Sequence, residues 1–232
     1  MYLIVPAVLP SSREDLDEKL ALLAHIPAVS RIQIDVVDSH FATPISWPYA
    51  SPEELKTLVD QGYLLPALDR IEYEIDLMCL DAERAADAWL ALGATRLTFH
   101  AESAVDLSRL LASARTRYGD LVSFGLALNI ASDLALAEPH LSGVDYVQFM
   151  GIAYIGKQGQ PFDQRVLEKI RVFHTRHPAV PIQVDGGVSL ESAKHLLALG
   201  VSSLVVGSGI LRASNPVAAF AAFDELQSRF GV

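Results

Sequence analysis

The chain has 232 residues, 51% of them apolar, and a formal net charge of −10 with a pI near 5.1. This length suits one barrel-sized domain, which we expect to span residues 1–232, and the apolar share is enough for a sizeable core. The acidic balance argues against nucleic acids and anionic membranes as partners, because both require clustered Lys and Arg.

Eight short runs of continuous or alternating apolar character, rich in Val and Ile, predict β-strands. In chain order they are YLIVPAVL from Tyr2, RIQIDVV from Arg31, IEYEIDLM from Ile71, TRLTFH from Thr95, LVSFGLALN from Leu121, VDYVQFM from Val144, PIQVDG from Pro181 and SSLVVG from Ser202.

An amphipathic stretch follows each of these runs and predicts a helix, often with a Ser or Asp at its start and a Gly at its end. The stretches are SSREDLDEKLALLAHI, SPEELKTLVDQG, DAERAADAWLALG, AVDLSRLLASARTRYG, ASDLALAEPHL, PFDQRVLEKIRVFHTRH, SLESAKHLLALG and NPVAAFAAFDELQSRF. Strict alternation of eight strands and eight helices predicts an α/β fold, a single (β/α)8 TIM barrel with eight parallel strands. We favour it over a doubly wound open sheet.

The cellular location is inferred from three features. The apolar N-terminus is short and lacks a basic flank, so we interpret it as a first strand rather than a signal peptide. No apolar run approaches the roughly 20 residues of a membrane helix. Cys79 is the only cysteine, so no disulfide can form within the chain. We therefore expect a cytoplasmic protein.

Three carboxylates come from three different predicted strands: Asp35, Asp76 and Asp185. Active sites of such barrels lie at the C-terminal ends of the strands, so these side chains are expected at one mouth. Close anions repel one another and need a cation or raised pKa values. The pattern indicates either a divalent metal or an acid/base pair. We expect His100, on strand four, to support the rim by hydrogen bonds rather than to catalyse.

Glycine-rich loops after the last two strands predict a phosphate site. Gly186 and Gly187 follow strand seven, and Gly207 with Ser208 follows strand eight and opens a short helix. Exposed backbone N–H groups in such loops attract anions. Met78 and Met150, at strand ends, would form an apolar floor or wall of the pocket.

The motifs together resemble those of the ribulose-phosphate 3-epimerases over essentially the whole chain. They are VPAVL, IDVVDSHF, IDLM, FHAE, GLALN, VQFMG, IQVDGGV and VVGSGI. The last two also occur in neighbouring phosphate-binding barrels, whereas the order of all eight is more specific.

The resemblance implies an isomerase that epimerises a ketose phosphate through an ene-diolate, with a phosphorylated sugar as its small-molecule partner. It places the two proton-transferring carboxylates on Asp35 and Asp185. It implies a metal site at Gln33, Asp35, Asp76 and Asp185, and adds Gly156 and Gly159 to the phosphate contacts. It also implies a homo-oligomer.

The chain departs from the family pattern on the metal side. Gln33 and Asp76 stand where the family has histidine ligands, Ala7 replaces a serine, and the strand-six loop AYIGKQGQ is one residue longer. Three interpretations stay open. An all-oxygen set would favour Mg²⁺, Mn²⁺, Fe²⁺ or Ca²⁺ over Zn²⁺. Alternatively, no metal binds and Lys157 supplies the positive charge. In the third, the site binds a sugar phosphate without epimerising it.

A related decarboxylase or aldolase is the weaker alternative. Decarboxylases of neighbouring families carry a DxKxxD motif at strand three, where this chain reads EIDLMC and has no lysine.

Overall fold

The computed structural model describes residues 3–230, with side chains described from 3 to 226. Its eight strands form one closed barrel in the order β1-β2-β3-β4-β5-β6-β7-β8, and every neighbouring pair is parallel. The predicted TIM barrel is confirmed. The strands are β1 Leu3–Val8, β2 Arg31–Val37, β3 Glu72–Met78, β4 Arg96–His100, β5 Ser123–Leu128, β6 Tyr146–Met150, β7 Ile182–Asp185 and β8 Ser203–Val206. Tyr2, where the first strand was predicted to begin, lies outside the described residues.

Helices surround the barrel. They are α1 Arg13–Ala24, α2 Pro52–Asp60, α3 Ala82–Ala91, α4 Leu107–Tyr118, α5 Arg165–Arg176, α6 Leu190–Ala198, α7 Ser208–Leu211 and α8 Pro216–Phe230. Two starts follow the sequence signals closely: the side chains of Ser12 and Ser189 cap α1 and α6. No helix among the described residues is long and apolar enough to cross a membrane.

The segment after β5 was predicted to form an α-helix, and this prediction was wrong. The stretch ASDLALAEPHL forms two 3-10 helices, Leu134–Leu136 and Glu138–Gly143. Asp133 caps the first through the N–H of Ala135, and Pro139 stands in the first turn of the second. Proline lacks an N–H and clashes with the preceding turn, so one continuous α-helix is blocked here.

Strand residues alternate between two environments. On β2, Ile32, Ile34 and Val36 belong to the large apolar core, which also takes in the surrounding helices. Gln33 and Asp35 point into the barrel, where Gln33 reaches Asp185 on β7. This two-residue period places polar side chains of several strands along one interior axis.

The barrel interior is unusually polar below the site, since branched apolar residues usually dominate there. Glu74 on β3 is fully buried and accepts hydrogen bonds from Thr98 at 3.0 Å, Gln183 at 2.5 Å and Arg96 at 3.2 Å. Gln183 also donates to Gln148 at 2.8 Å. These contacts link the lower end of the barrel to the carboxylates at its C-terminal end.

Candidate active site

A cavity of about 660 Å³ opens at the C-terminal ends of the strands. Asp35 and Asp185 line it, together with ten other residues that the sequence analysis named. These ten are Ala7, Met78, Met150, Gly156, Lys157, Gly159, Gly186, Gly187, Gly207 and Ser208. The structure therefore brings the predicted acid/base carboxylates and the predicted phosphate residues to one cavity.

Gln33 connects the two carboxylates of this cavity. Its side-chain nitrogen, Nε2, donates to Oδ1 of Asp35 at 2.8 Å and to Oδ2 of Asp185 at 2.9 Å. Gln33 is fully buried and does not line the cavity itself. A single amide thus uses both hydrogens to fix one carboxylate on β2 and one on β7, although Gln33 and Asp185 lie 152 positions apart in the chain.

Asp76 lies deeper than the other two carboxylates and is fully buried. One oxygen is 2.7 Å from Nε2 of His100, and the other accepts from Nε2 of Gln148 at 2.9 Å. His100 therefore contacts a carboxylate of the site and supports it, in keeping with the expected hydrogen-bonding role. Its other ring nitrogen, Nδ1, is buried without a hydrogen-bond partner among the described residues.

The three aspartates could hold a metal ion. Each of Asp35, Asp76 and Asp185 offers one carboxylate oxygen, and these oxygens lie within 4.8 Å of one another. Gln33, the fourth residue of the expected metal set, instead presents its amide nitrogen to two of them. An oxygen-only donor set fits a hard divalent cation better than Zn²⁺, which favours nitrogen and sulfur ligands.

Burial and mutual repulsion raise the pKa values of the two cavity carboxyls. For Asp35, burial is the largest cause and the charges of Asp185 and Asp76 add to it, so its pKa lies well above 3.8. For Asp185, burial and then Asp76 raise the pKa to about 7. For His100, burial opposes the charged form, but contact with Asp76 outweighs it and raises the pKa above 6.5.

The raised pKa of Asp185 predicts a pH dependence of stability in the metal-free protein. The folded chain keeps a proton on Asp185 up to about pH 7, whereas the unfolded chain releases it near 3.8. Relative to Asp185→Asn, the wild-type free energy of unfolding should therefore fall as pH rises from 3.8 to about 7, and then level off. Urea unfolding in a chelator at several pH values measures this difference. Parallel curves for the two proteins would contradict it.

The backbone around the predicted phosphate residues requires glycine at specific points. Gly187 has a φ of +67°, and a Cβ there would lie 2.6 Å from the Cα of Phe162 in the β6–α5 loop. Gly156 has a φ of +82°, and a Cβ there would lie 3.1 Å from the carbonyl oxygen of Thr43. Any side chain would push the loops apart, so glycine keeps the backbone close around the cavity.

Sequence reasoning missed the glutamines that complete the site. Gln148 and Gln183 lie inside the barrel, and Gln158 comes from the β6–α5 loop. Gln158 donates to the carbonyl of Ala7 at 3.1 Å and also lowers the pKa of Asp35 by hydrogen bonding. The alternation of inward and outward residues along their strands could have placed Gln148 and Gln183 inside the barrel. No local pattern in the sequence marked Gln158.

Comparison with known proteins identifies the family. The model of the Ribulose-phosphate 3 epimerase family matches residues 3–211. The chain belongs to this family. It is 27% identical over 213 residues to the ribulose-phosphate 3-epimerase of Escherichia coli (strain K12), covering 90% of this chain and 88% of that protein. It is 29% identical over 227 residues to the one from Mycobacterium leprae, covering 95% and 92%. The predicted family, and with it an enzyme of the isomerase class, is confirmed.

Solved structures with similar folds are more distant in sequence. A 3-hexulose-6-phosphate synthase from Salmonella typhimurium matches with a TM-score of 0.70 at 15% identity, covering 98% of this chain and 99% of that chain. A 3-keto-L-gulonate-6-phosphate decarboxylase from Vibrio cholerae matches with a TM-score of 0.67 at 16% identity, covering 100% and 99%. At these identities the likeness shows the shared barrel fold alone.

Proposed function

We propose that this family member epimerises a ketose phosphate at the carbon next to the carbonyl, with Asp35 and Asp185 as the proton-transferring groups. One observation carries the proposal: two buried carboxyls face the same cavity, held by the two hydrogens of one amide. Inversion of such a carbon needs a base on one face and an acid on the other. The two raised pKa values favour a state in which one carboxyl is protonated and the other ionised.

The proposed reaction has two proton transfers. The ionised carboxylate takes the proton from the carbon next to the carbonyl, and the electron pair moves onto the carbonyl oxygen to give an ene-diolate. The protonated carboxyl then delivers its proton to the opposite face, and the carbonyl re-forms. The carboxyls end with their protonation states exchanged, so the product has the inverted centre and no atom is gained or lost. Gln33, bonded to both groups, keeps them in place throughout.

A divalent cation is the proposed cofactor, with Asp35, Asp76 and Asp185 as the residues that would hold it. It would supply positive charge for the oxygen that becomes negative in the ene-diolate. His100 and Gln148 keep Asp76 oriented toward the other two aspartates. Lys157 lines the cavity but is exposed and lies in the glycine-containing loop rather than among the aspartates. The structure therefore favours the metal over Lys157 as the source of charge at the aspartates.

Because all the proposed ligand atoms are oxygens, the metal proposal predicts a preference for Mg²⁺ or Mn²⁺ over Zn²⁺. Chelation should lower activity at least tenfold, and Mg²⁺ or Mn²⁺ should restore it better than Zn²⁺. The double variant Gln33→His with Asp76→His should shift binding toward Zn²⁺, because imidazole nitrogen suits that ion. Metal content after dialysis and metal-dependent melting temperature measure binding without turnover. Full activity in a protein freed of metal would refute the proposal.

Deuterium wash-in tests the reaction itself. The protein is incubated in D₂O with ribulose 5-phosphate, xylulose 5-phosphate or a hexulose phosphate, with Mn²⁺ present, and NMR follows the hydrogen next to the carbonyl. We expect exchange and epimer formation with at least one ketose phosphate. No exchange with any of them would refute the epimerase proposal.

A sugar-phosphate-binding protein without turnover is the second candidate. The glutamine and aspartate at the two expected histidine positions favour it. In that case sugar phosphates would raise the melting temperature while no deuterium entered the substrate. The predicted homo-oligomer and the cytoplasmic location stay predictions.

A further inference from the structure

Two cationic side chains near the glycine-rich loops have no partner of their own. Within residues 3–226, no hydrogen bond or ion pair engages the side chain of Lys157 or Arg212. Some other surface cations are already paired: Lys19 and Arg165, for example, contact carboxylates at 2.7 and 2.6 Å. The two free cations are therefore available to a ligand.

Both side chains belong to segments that form the glycine-lined end of the cavity. Lys157 lies between Gly156 and Gly159 and lines the cavity. Arg212 directly follows α7, whose first residue, Ser208, also lines it. The guanidinium of Arg212 crosses to the β6–α5 loop, where its Nη1 stands 2.9 Å from the position of a Cβ on Gly159. The two cations thus flank Gly159.

The charged groups that line the cavity are mainly acidic, so a phosphate ligand would need nearby cations. Among the described residues that line it, Asp35, Asp185 and Glu191 are acidic, and Lys157 is the single cation. The whole chain carries a net charge of −10. A phosphate dianion that enters this cavity is repelled by these carboxylates. The backbone N–H groups carry only partial positive charges and compensate this repulsion in part. Ammonium and guanidinium groups bind phosphate through charge-assisted hydrogen bonds.

We propose that Lys157 and Arg212 bind the phosphate group of the substrate, contacting the oxygens that the glycine-rich loops leave exposed. The pair selects a doubly charged phosphate ester over an uncharged ketose. This inference rests on the proposed function in taking a ketose phosphate as the substrate, and on the predicted phosphate site at the glycine-rich loops, but it does not depend on turnover.

Binding of inorganic phosphate tests the proposal directly. The variants are Lys157→Met and Arg212→Met, with Lys194→Met on α6 and Arg109→Met on α4 as matched controls. The two control side chains are exposed and lack a described hydrogen bond or ion pair, as the test pair does. Calorimetry at low and high salt gives the phosphate Kd. We expect each test variant to weaken binding about tenfold, the controls to stay within about twofold, and the salt dependence to shrink only in the test variants.

Melting temperatures without phosphate should be the same in all five proteins, because the substituted side chains are exposed. Equal phosphate affinity in test and control variants would overturn the proposal, as would the absence of phosphate binding by the wild type. Asp35→Asn should keep phosphate binding even though it is expected to slow epimerisation strongly. If no ketose phosphate exchanges deuterium but Lys157→Met and Arg212→Met still weaken phosphate binding, the epimerase proposal fails while the assignment of the cations holds.

Discussion

Replacement of either Asp35 or Asp185 by asparagine is expected to lower the rate of epimerisation about 10²- to 10⁴-fold, the usual contribution of a general acid or base. Each variant should still exchange deuterium into one epimer, because the remaining aspartate can take the proton from its own face and return a deuteron. The two variants should exchange opposite epimers. NMR in D₂O, starting from each epimer separately, measures both quantities.

The control for this pair is Asp60→Asn, at the exposed end of α2. It should leave both epimerisation and exchange unchanged. Because asparagine removes a buried charge without changing shape, the site variants should also fold. More than a tenth of wild-type epimerisation in either site variant would contradict the two-carboxylate mechanism, as would exchange of the same epimer by both.

The largest effect on stability is expected from Arg96→Met. Arg96 is 13% exposed and contacts the fully buried Glu74 at 3.2 Å, and its guanidinium also lies 4.3 Å from the centre of the Tyr146 ring. Removal of one partner of a buried ion pair leaves the other charge uncompensated, which typically costs about 3–5 kcal/mol. Urea unfolding at neutral pH should show a loss of this size.

Two controls separate the charge effect from lost packing. Arg96→Met combined with Glu74→Gln should lose less stability than Arg96→Met alone, because no buried charge is left without a partner. Arg171→Met, at an exposed ion pair with Glu168, should change the free energy of unfolding by no more than about 0.5 kcal/mol. If Arg96→Met and the double variant were equally unstable, packing rather than charge would explain the loss.

The barrel was predictable because each strand and its following helix are short-range patterns. The alternation around Asp35 places Ile34 and Val36 on one face of β2 and Gln33 with Asp35 on the other, as observed. The helix after β5 was predicted with the wrong type. Its apolar spacing suited an α-helix, but Pro139 and the Asp133 cap favour tighter turns.

The contacts within the site could not be predicted from the same patterns. Nothing local in RIQIDVV shows that the Gln33 amide would bond Asp185, 152 positions later. The pairing of Asp76 with His100 depends on the register between β3 and β4, where Asp76 lies beside Thr98. Register and barrel closure are properties of the assembled sheet, and each hydrogen bond across the barrel depends on both.

Residue type and period along the chain were therefore enough to indicate the barrel and the carboxylates at its mouth, and the resemblance of eight ordered motifs indicated the family. Strand periodicity is local, and barrels of this kind place their sites at the same ends of the strands. Closure of the barrel decided which donor contacts which carboxylate. It placed Gln33 between Asp35 and Asp185, with Asp76 beneath them. Closure brings side chains from distant strands within hydrogen-bond range and removes water from around them, and only then do their charges and pKa values become coupled.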